Sequence, residues 1–280
     1  MRRILSKLVN RPWLLNMLGR VGVRAPLWRL YCRWFGPEDG IVELELDGHH
    51  ARFYVHSEWI AAGLKSFDGE QGLLSLLIST MRSGDIVFDV GANMGLHAIF
   101  LGQAVGPRGH IVAFEPEPHY CERMRSNAAL NGLSNLRIIP LALGDHSYSS
   151  RLLPPVRGKA APRLEEPFQT ESGTRSSQKV RVVEGDRLVE IEKLPVPRLV
   201  KIDVEGNEYA VLRGLRRTLM NSACEIVCCE VHPQLLPEGL APDEIINLLK
   251  SSGFTRFETL PRHTEHHVLA FKDRGTGQPV

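Results

Sequence analysis

The sequence predicts an α/β protein built on a mostly parallel sheet with helices on both faces. Short apolar runs alternate with stretches of helical periodicity between residues 71 and 252, a pattern that gives strand–helix–strand units and so parallel strands. One of these runs, Ile86 to Asp89, leads directly into the glycine loop Gly91-Ala-Asn-Met-Gly95 and then into the apolar stretch Leu96 to Leu101. Glycines at such a junction let the backbone turn tightly and approach a ligand at the start of the next helix. The last two apolar runs stand together with no helix between them, so the sheet should close on an antiparallel strand.

Length and composition set the outer bounds. The chain has 280 residues and 43% hydrophobic content, enough for one large α/β domain with an appendage. Its formal charge of +2 conceals an asymmetry. Residues 1–35 carry Arg2, Arg3, Lys7, Arg11, Arg20, Arg24, Arg29 and Arg33 and no acid, so the remainder is net acidic and no nucleic-acid partner is expected. Cys32, Cys121, Cys224, Cys228 and Cys229 have neither paired metal-ligand spacing nor the framework of a small secreted domain, which fits reduced thiols in the cytoplasm. No apolar run is long enough to span a bilayer.

Taken in order, the first 35 residues place leucines, tryptophans and other apolar residues at roughly helical spacing broken by Pro12, Gly19, Gly22 and Pro26, giving short amphipathic helices. A cap on the catalytic domain, peripheral contact with an anionic membrane and a targeting segment are the three readings of that stretch. Residues 41–46 and 51–56 alternate around Asp47-Gly48 and form a hairpin, completing an extension over residues 1–65. The main domain, residues 66–275, opens with a helix over 71–81 closed by Ser83-Gly84. Strands are then expected at 86–89, 110–114, 136–140, 199–204 and 224–231, helices at 118–131, 208–220 and 242–252, and the closing strand pair at 254–259 and 267–271. The Pro-rich stretch from Gly144 to Lys179 shows little periodicity and reads as a mobile insertion over 149–178. It is either unstructured or a lid over the acceptor.

The acids and glycines narrow the chemistry. A dinucleotide site wants glycine at the loop's middle position, to admit a pyrophosphate, and this chain has Asn93 there. Asp89 precedes the loop, so a ligand with an amino-acid end would place its carboxylate on the loop N–H groups and its ammonium toward Asp89. S-adenosylmethionine has that shape. Glu115, ending the next strand, can accept hydrogen bonds from both ribose hydroxyls. Asp145, after the third strand, is either an adenine partner or a turn acid. Period-two alternation puts Lys201, Asp203 and Glu205 on one side of the fourth strand's end, beside Glu230 and His232 of the fifth. Glu205 and Glu208 also suit the following helix N-terminus on charge alone, whereas Asp203 does not. Asp203 is therefore the preferred base or acceptor anchor, with His232 second and Glu230 beside them. The pattern assigns no dedicated metal ligands, although the same oxygen-rich set can hold Mg²⁺. His97 reads as packing or capping, and Cys228 and Cys229 as core.

Together these segments resemble the FkbM family of S-adenosylmethionine-dependent methyltransferases. The matching pieces are Asp89-Val-Gly-Ala-Asn-Met-Gly95, Ala113-Phe-Glu-Pro116, Asn131-Gly-Leu, Ala142-Leu-Gly-Asp145, Lys201-Ile-Asp-Val-Glu-Gly206 with Glu208, Val211-Leu-Arg-Gly214 and Glu230-Val-His-Pro233. They run in order over residues 66–260. The resemblance implies a class I, Rossmann-like methyltransferase fold with a seven-stranded, mostly parallel sheet and an antiparallel last strand. It also implies O-methylation of a hydroxyl on a small metabolite, sugar or glycolipid, and a place for Glu70 over the donor. Leu96-His97-Ala98 departs from the family's aromatic and hydroxyl residues, and the insertion and the basic segment lie outside the shared pattern, where acceptor choice is expected to reside. The residues leave three alternatives: an NAD-dependent oxidoreductase, disfavoured by Asn93 and the closing strand pair; a non-catalytic protein with a relict donor site, disfavoured by the intact acidic cluster; and a methyltransferase acting on protein or RNA.

The three readings of residues 1–35 separate experimentally. Membrane contact requires that deleting them lower co-sedimentation with anionic liposomes; unchanged sedimentation eliminates that reading.

Overall fold

The computed structural model describes residues 40–55, 58–153, 163–164, 178–262 and 264–273, so the expectations for residues 1–35 fall outside it. The chain divides into two compact units, Met1–Leu44 with Arg52–Glu70 and Glu45–Ala51 with Gln71–Val280. Strands β1 (Gly40–Leu46) and β2 (His49–Val55) form the expected hairpin. Its turn residues Asp47 and Gly48 both have positive φ, 49° and 78°, the backbone that an Asp-Gly pair supplies in a two-residue hairpin. In the first unit helix α1 (Glu58–Lys65) is followed by a 3-10 turn, Phe67–Gly69, after which the Glu70 N–H donates to Phe67 O at 2.8 Å.

The second unit carries the expected alternation. Helix α2 (Gln71–Thr80) buries Leu73, Leu74, Leu77 and Ile78, the one-face spacing of an amphipathic helix. Then come β3 (Ile86–Val90), α3 (Leu96–Ala104), β4 (His110–Phe114), α4 (Pro118–Leu130) and β5 (Leu136–Ile139). Pro118 at the first helical position and the Glu117 carboxylate accepting the His119 N–H set the start of α4. Later in the chain are β10 (Leu199–Ile202), β11 (Ile226–Val231), α8 (Pro242–Ser251), β12 (Arg256–Arg262) and β13 (Glu265–Phe271).

These strands make one seven-stranded sheet in the order β12-β13-β11-β10-β3-β4-β5. Neighbours from β11 to β5 are parallel, and β13 runs antiparallel to both β11 and β12. Strands β10 and β11 are buried at every position, as expected of central parallel strands covered on both faces. Phe88 and Phe114 meet edge to face across β3 and β4 at 5.4 Å. The chain proceeds from β3 toward β5 on one side and from β10 toward β11 on the other, so the strand order reverses between β3 and β10. The crevice at their carboxyl ends is the ligand position of an open α/β sheet.

Two expectations are corrected. The stretch between Gly144 and Lys179 is not structureless where it is described: β6 (Ala142–Gly144), β7 (Tyr148–Leu153), β8 (Arg163–Leu164) and β9 (Gln178–Glu184) form a second sheet in the order β6-β9-β7-β8. Val180 and Val182 alternate inward on β9, a short period-two signal overshadowed in the sequence by the neighbouring prolines. The expected single helix over 208–220 is two, α6 (Glu208–Gly214) and α7 (Arg216–Met220), and α5 (Gly185–Ile191) precedes them. Asp186 of α5 causes the break. Its carboxylate accepts the N–H groups of Arg217 at 2.6 Å and Thr218 at 2.9 Å, capping a new helix in mid-run. The described cysteines, Cys121, Cys224, Cys228 and Cys229, are buried and free, and burial pushes the Cys121 and Cys224 thiols up to about 11 and about 12.

The second sheet is fixed against α6 where Gly214 meets the Gly144 carbonyl so closely that a Cβ would overlap it. Gly214→Ala is expected to lower unfolding stability in urea by about 1–3 kcal/mol or more, since the clash is with backbone. Gly72→Ala, on an open helix position with nothing within 4 Å, should be neutral or raise stability by about 0.5–1 kcal/mol.

Candidate functional site

The loop after β3 is shaped by positive φ at Gly91 (81°), Asn93 (51°) and Gly95 (92°). A Cβ on Gly91 would run into the Asp203 carbonyl, and one on Gly95 would lie 2.7 Å from Met124 Cγ. Both glycines are therefore required by packing as well as by conformation. The Gly91 N–H donates to Phe114 O at 2.9 Å, and the Asp203 N–H to Val90 O at 3.0 Å. These bonds tie the ends of β3, β4 and β10 into one rim.

A cavity opens on that rim. Its walls include Gly91, Asn93, Glu115, Tyr120, Leu141 to Leu143, Leu152, Leu164, Asp203 to Glu205 and Asn207. The Glu115 carboxylate accepts the Asn93 N–H at 2.8 Å through Oε2 and the Glu117 N–H at 2.9 Å through Oε1. Burial nevertheless raises its pKa to about 7; the two backbone hydrogen bonds pull the other way, and the charges of Glu117 and Asp89 add to the rise.

On the other side lies a nest of buried ionisable groups. Lys201 Nζ stands 3.5 Å from Asp89 Oδ1 and 3.4 Å from Asp203 Oδ2. Asp89 is wholly buried, and among the described residues neither of its oxygens receives a hydrogen bond. His232 Nδ1 is 2.6 Å from Glu208 Oε1, which also accepts the Gly206 N–H. Its Nε2 faces Asp203, Glu205 and Glu230. Burial alone would lower the His232 pKa, but the hydrogen bond and charge of Glu208, with Asp203 and Glu230, carry it to about 9. Arg262 Nη1 spans both oxygens of Glu230 at 2.8 and 2.9 Å.

Of the residues singled out in the sequence, Gly91, Asn93, Glu115 and Asp203 come together on the cavity wall. Asp89 does not line it; its carboxylate is turned to Lys201, which corrects the expectation of an open ammonium partner. Gly95 shapes the loop from behind. Asp145 is not on the wall either, because its carboxylate is taken by His146 at 2.7 Å and Arg213 at 3.4 Å. Glu230 and His232 sit behind Asp203 and Glu205, and Glu70 belongs to the first unit. Strand β10 ends at Ile202, so alternation is not what positions Glu205: a left-handed turn, φ 52° at Glu205 and 103° at Gly206, does so. Tyr120, Leu152, Leu164 and Asn207 were not foreseen. Tyr120 lies in the first turn of the helix that follows Glu115, a placement that could have marked it; Leu152 and Leu164 carried no signal.

The chain matches the Methyltransferase FkbM domain over residues 89–256. It is 29% identical over 228 residues to the hexuronic acid methyltransferase AglP of Haloferax volcanii, covering 80% of this chain and 86% of that protein. It is 28% identical over 218 residues to the 31-O-demethyl-FK506 methyltransferase FkbM of Streptomyces tacrolimicus, covering 68% and 81%. Among solved structures, Aeropyrum pernix fibrillarin with bound S-adenosyl-L-methionine aligns over 82% of each chain at 16% identity, with a TM-score of 0.45.

Glu115 gives the site a pH signature. Its folded pKa, about 7, lies above the usual 4.5, so the folded state retains a proton that the unfolded chain releases between those values. Stability should therefore fall as pH rises from 4.5 to 7, by roughly 3 kcal/mol at most, and level off above. Urea midpoints at pH 5 and pH 7.5 should show this loss for the wild type and a smaller one for Glu115→Gln.

Proposed function

This chain belongs to the Methyltransferase FkbM domain family and is an S-adenosylmethionine-dependent methyltransferase, and from that premise we propose that it methylates a hydroxyl of a sugar, glycolipid or other small metabolite. The observation that carries the proposal is that Glu115 and Asp203, a ribose-type acid and a candidate proton acceptor, line one cavity. The relatives' names support the acceptor class, one being named for a hexuronic acid and the other for an O-demethyl compound.

The residues present fit the donor. Glu115 would hold the ribose hydroxyls, since each of its oxygens keeps a lone pair beyond the backbone N–H it accepts. Tyr120, Leu141, Leu143, Leu152 and Leu164 would enclose a flat base and exclude water. Gly91 and Asn93, both on the cavity wall, would take the methionine end. When bound, the donor supplies a methyl group on a positively charged sulfur that is already a good leaving group, so positioning provides much of the acceleration.

Asp203 would accept the acceptor's hydroxyl proton. Its carboxylate lies on the wall, with Lys201 at 3.4 Å fixing Oδ2. His232 lies 3.9 Å from Asp203 Oδ1 and is oriented by Glu208, so it would position Asp203 rather than touch the acceptor. Glu230 is committed to Arg262 and would act through His232. Among the described residues no helix is long and apolar enough to cross a membrane. The basic, acid-free first 35 residues support a cytoplasmic enzyme that meets an anionic membrane at its surface.

Incubating the protein with methyl-labelled donor and hydroxyl-bearing sugars and lipids should transfer label to oxygen; label appearing only in protein or RNA would refute the acceptor class. Asp203→Asn should cut turnover by roughly 10²–10⁴ while donor affinity stays within about threefold. Full activity in that variant removes Asp203 from the mechanism.

A further inference from the structure

The imidazole behind the cavity wall is held in an unusual way. His232 is 2% exposed and gripped at Nδ1 by the buried carboxylate of Glu208. Its other nitrogen, Nε2, makes no hydrogen bond among the described residues. It points among three carboxylate oxygens, Glu205 Oε2 at 3.8 Å, Asp203 Oδ1 at 3.9 Å and Glu230 Oε1 at 3.9 Å, all beyond hydrogen-bond reach. Near neutral pH Nε2 carries a proton that a bound metal ion would displace, while Glu208 keeps the Nδ1 proton in place, the carboxylate–histidine arrangement of metal-binding histidines.

We propose that His232 Nε2, Asp203 and Glu230, with Glu205 as a fourth donor, form a binding site for a divalent first-row transition ion such as Mn²⁺. The ligand atoms of Asp203, Glu230 and His232 all lie within 4.8 Å of one another. Neighbouring ligand atoms around a bound ion stand about 3 Å apart, so the side chains need to close by about 1–2 Å. Donor chemistry selects the ion: three carboxylates suit Mg²⁺, Ca²⁺ and Mn²⁺, while an imidazole nitrogen shifts preference toward the transition series. Arg262 bonds both Glu230 oxygens, yet each retains a lone pair for a metal. Asp203 and Glu205 also line the cavity, so the ion's remaining positions would open toward it. Only the use of the ion, to hold an acceptor oxygen beside Asp203, rests on the methyl-transfer reading; the site itself does not.

The test uses the full chain, stripped with EDTA and titrated with MnCl₂ under electron paramagnetic resonance. One Mn²⁺ per chain is expected, with nitrogen modulation from a bound imidazole in pulsed spectra of the wild type, which needs no variant. His232→Gln and Asp203→Asn should each weaken binding at least tenfold, and Glu115→Gln should leave it unchanged. Donor binding, measured calorimetrically on the same samples, separates the two readings. A wild type that binds donor but no Mn²⁺, or Mn²⁺ bound without nitrogen modulation or equally by His232→Gln, overturns the metal site. Mn²⁺ binding as described in a protein that binds no donor supports the metal site and sinks the methyl-donor reading.

Discussion

The site depends on one close approach, that of Gly91 to the Asp203 backbone. Gly91 turns with φ 81° at the end of β3, and the space a side chain would fill there is occupied by the Asp203 carbonyl. One step earlier, Val90 accepts the Asp203 N–H. The loop that would cradle a ligand and the loop that carries the candidate proton acceptor are thus joined backbone to backbone. Their separation is set by covalent geometry and sheet register, Lys201 lying opposite Asp89 and Ile202 opposite Val90. Catalysis by positioning needs that kind of rigidity, since small displacements of reacting groups cost large factors in rate.

Around this contact the protein buries charge that would be costly anywhere else. Asp89, Lys201, Glu208, Glu230 and His232 are all buried, and their compensation runs through a chain of partners rather than through isolated pairs. Lys201 stands between Asp89 and Asp203; His232 stands between Glu208 and the acids at the cavity wall. Such a network stabilises little by itself. What it does is hold Asp203 and Glu205 at fixed positions facing the cavity, while Glu230, bridged by Arg262, braces the network from the last strand pair.

Much of this was legible in the sequence, and the reasons are specific. Strands buried on both faces announce themselves as apolar runs, so β3, β4, β10 and β11 were readable, and the absence of a helix between β12 and β13 gave the antiparallel closure. Asn93 at the loop's middle position separated a methyl-donor pattern from a dinucleotide one. Which acids reach the wall was not legible. Asp89, Glu115, Asp145 and Asp203 all stand at or just after strand ends and look equivalent in one dimension; Asp89 and Asp145 are withdrawn by Lys201 and by His146 with Arg213, partners that only the fold supplies. The split of the helix at Leu215 was hidden likewise, because its cause, Asp186, lies some thirty residues away.

The second sheet shows why the insertion matters to the pocket. Strand β6 leaves the end of the main sheet, Leu141 to Leu143 pass along the cavity, and Asn207 of the acidic loop donates to Leu143 O at 3.2 Å. Gly214 and Gly144 hold α6 and β6 in contact, and β9 pairs with β6 and β7, which carries Leu152 to the wall. The same α6 begins at Glu208, the carboxylate that fixes His232. One short helix therefore links the apolar wall to the acidic nest, and a change in how the second sheet packs on α6 would be felt at both.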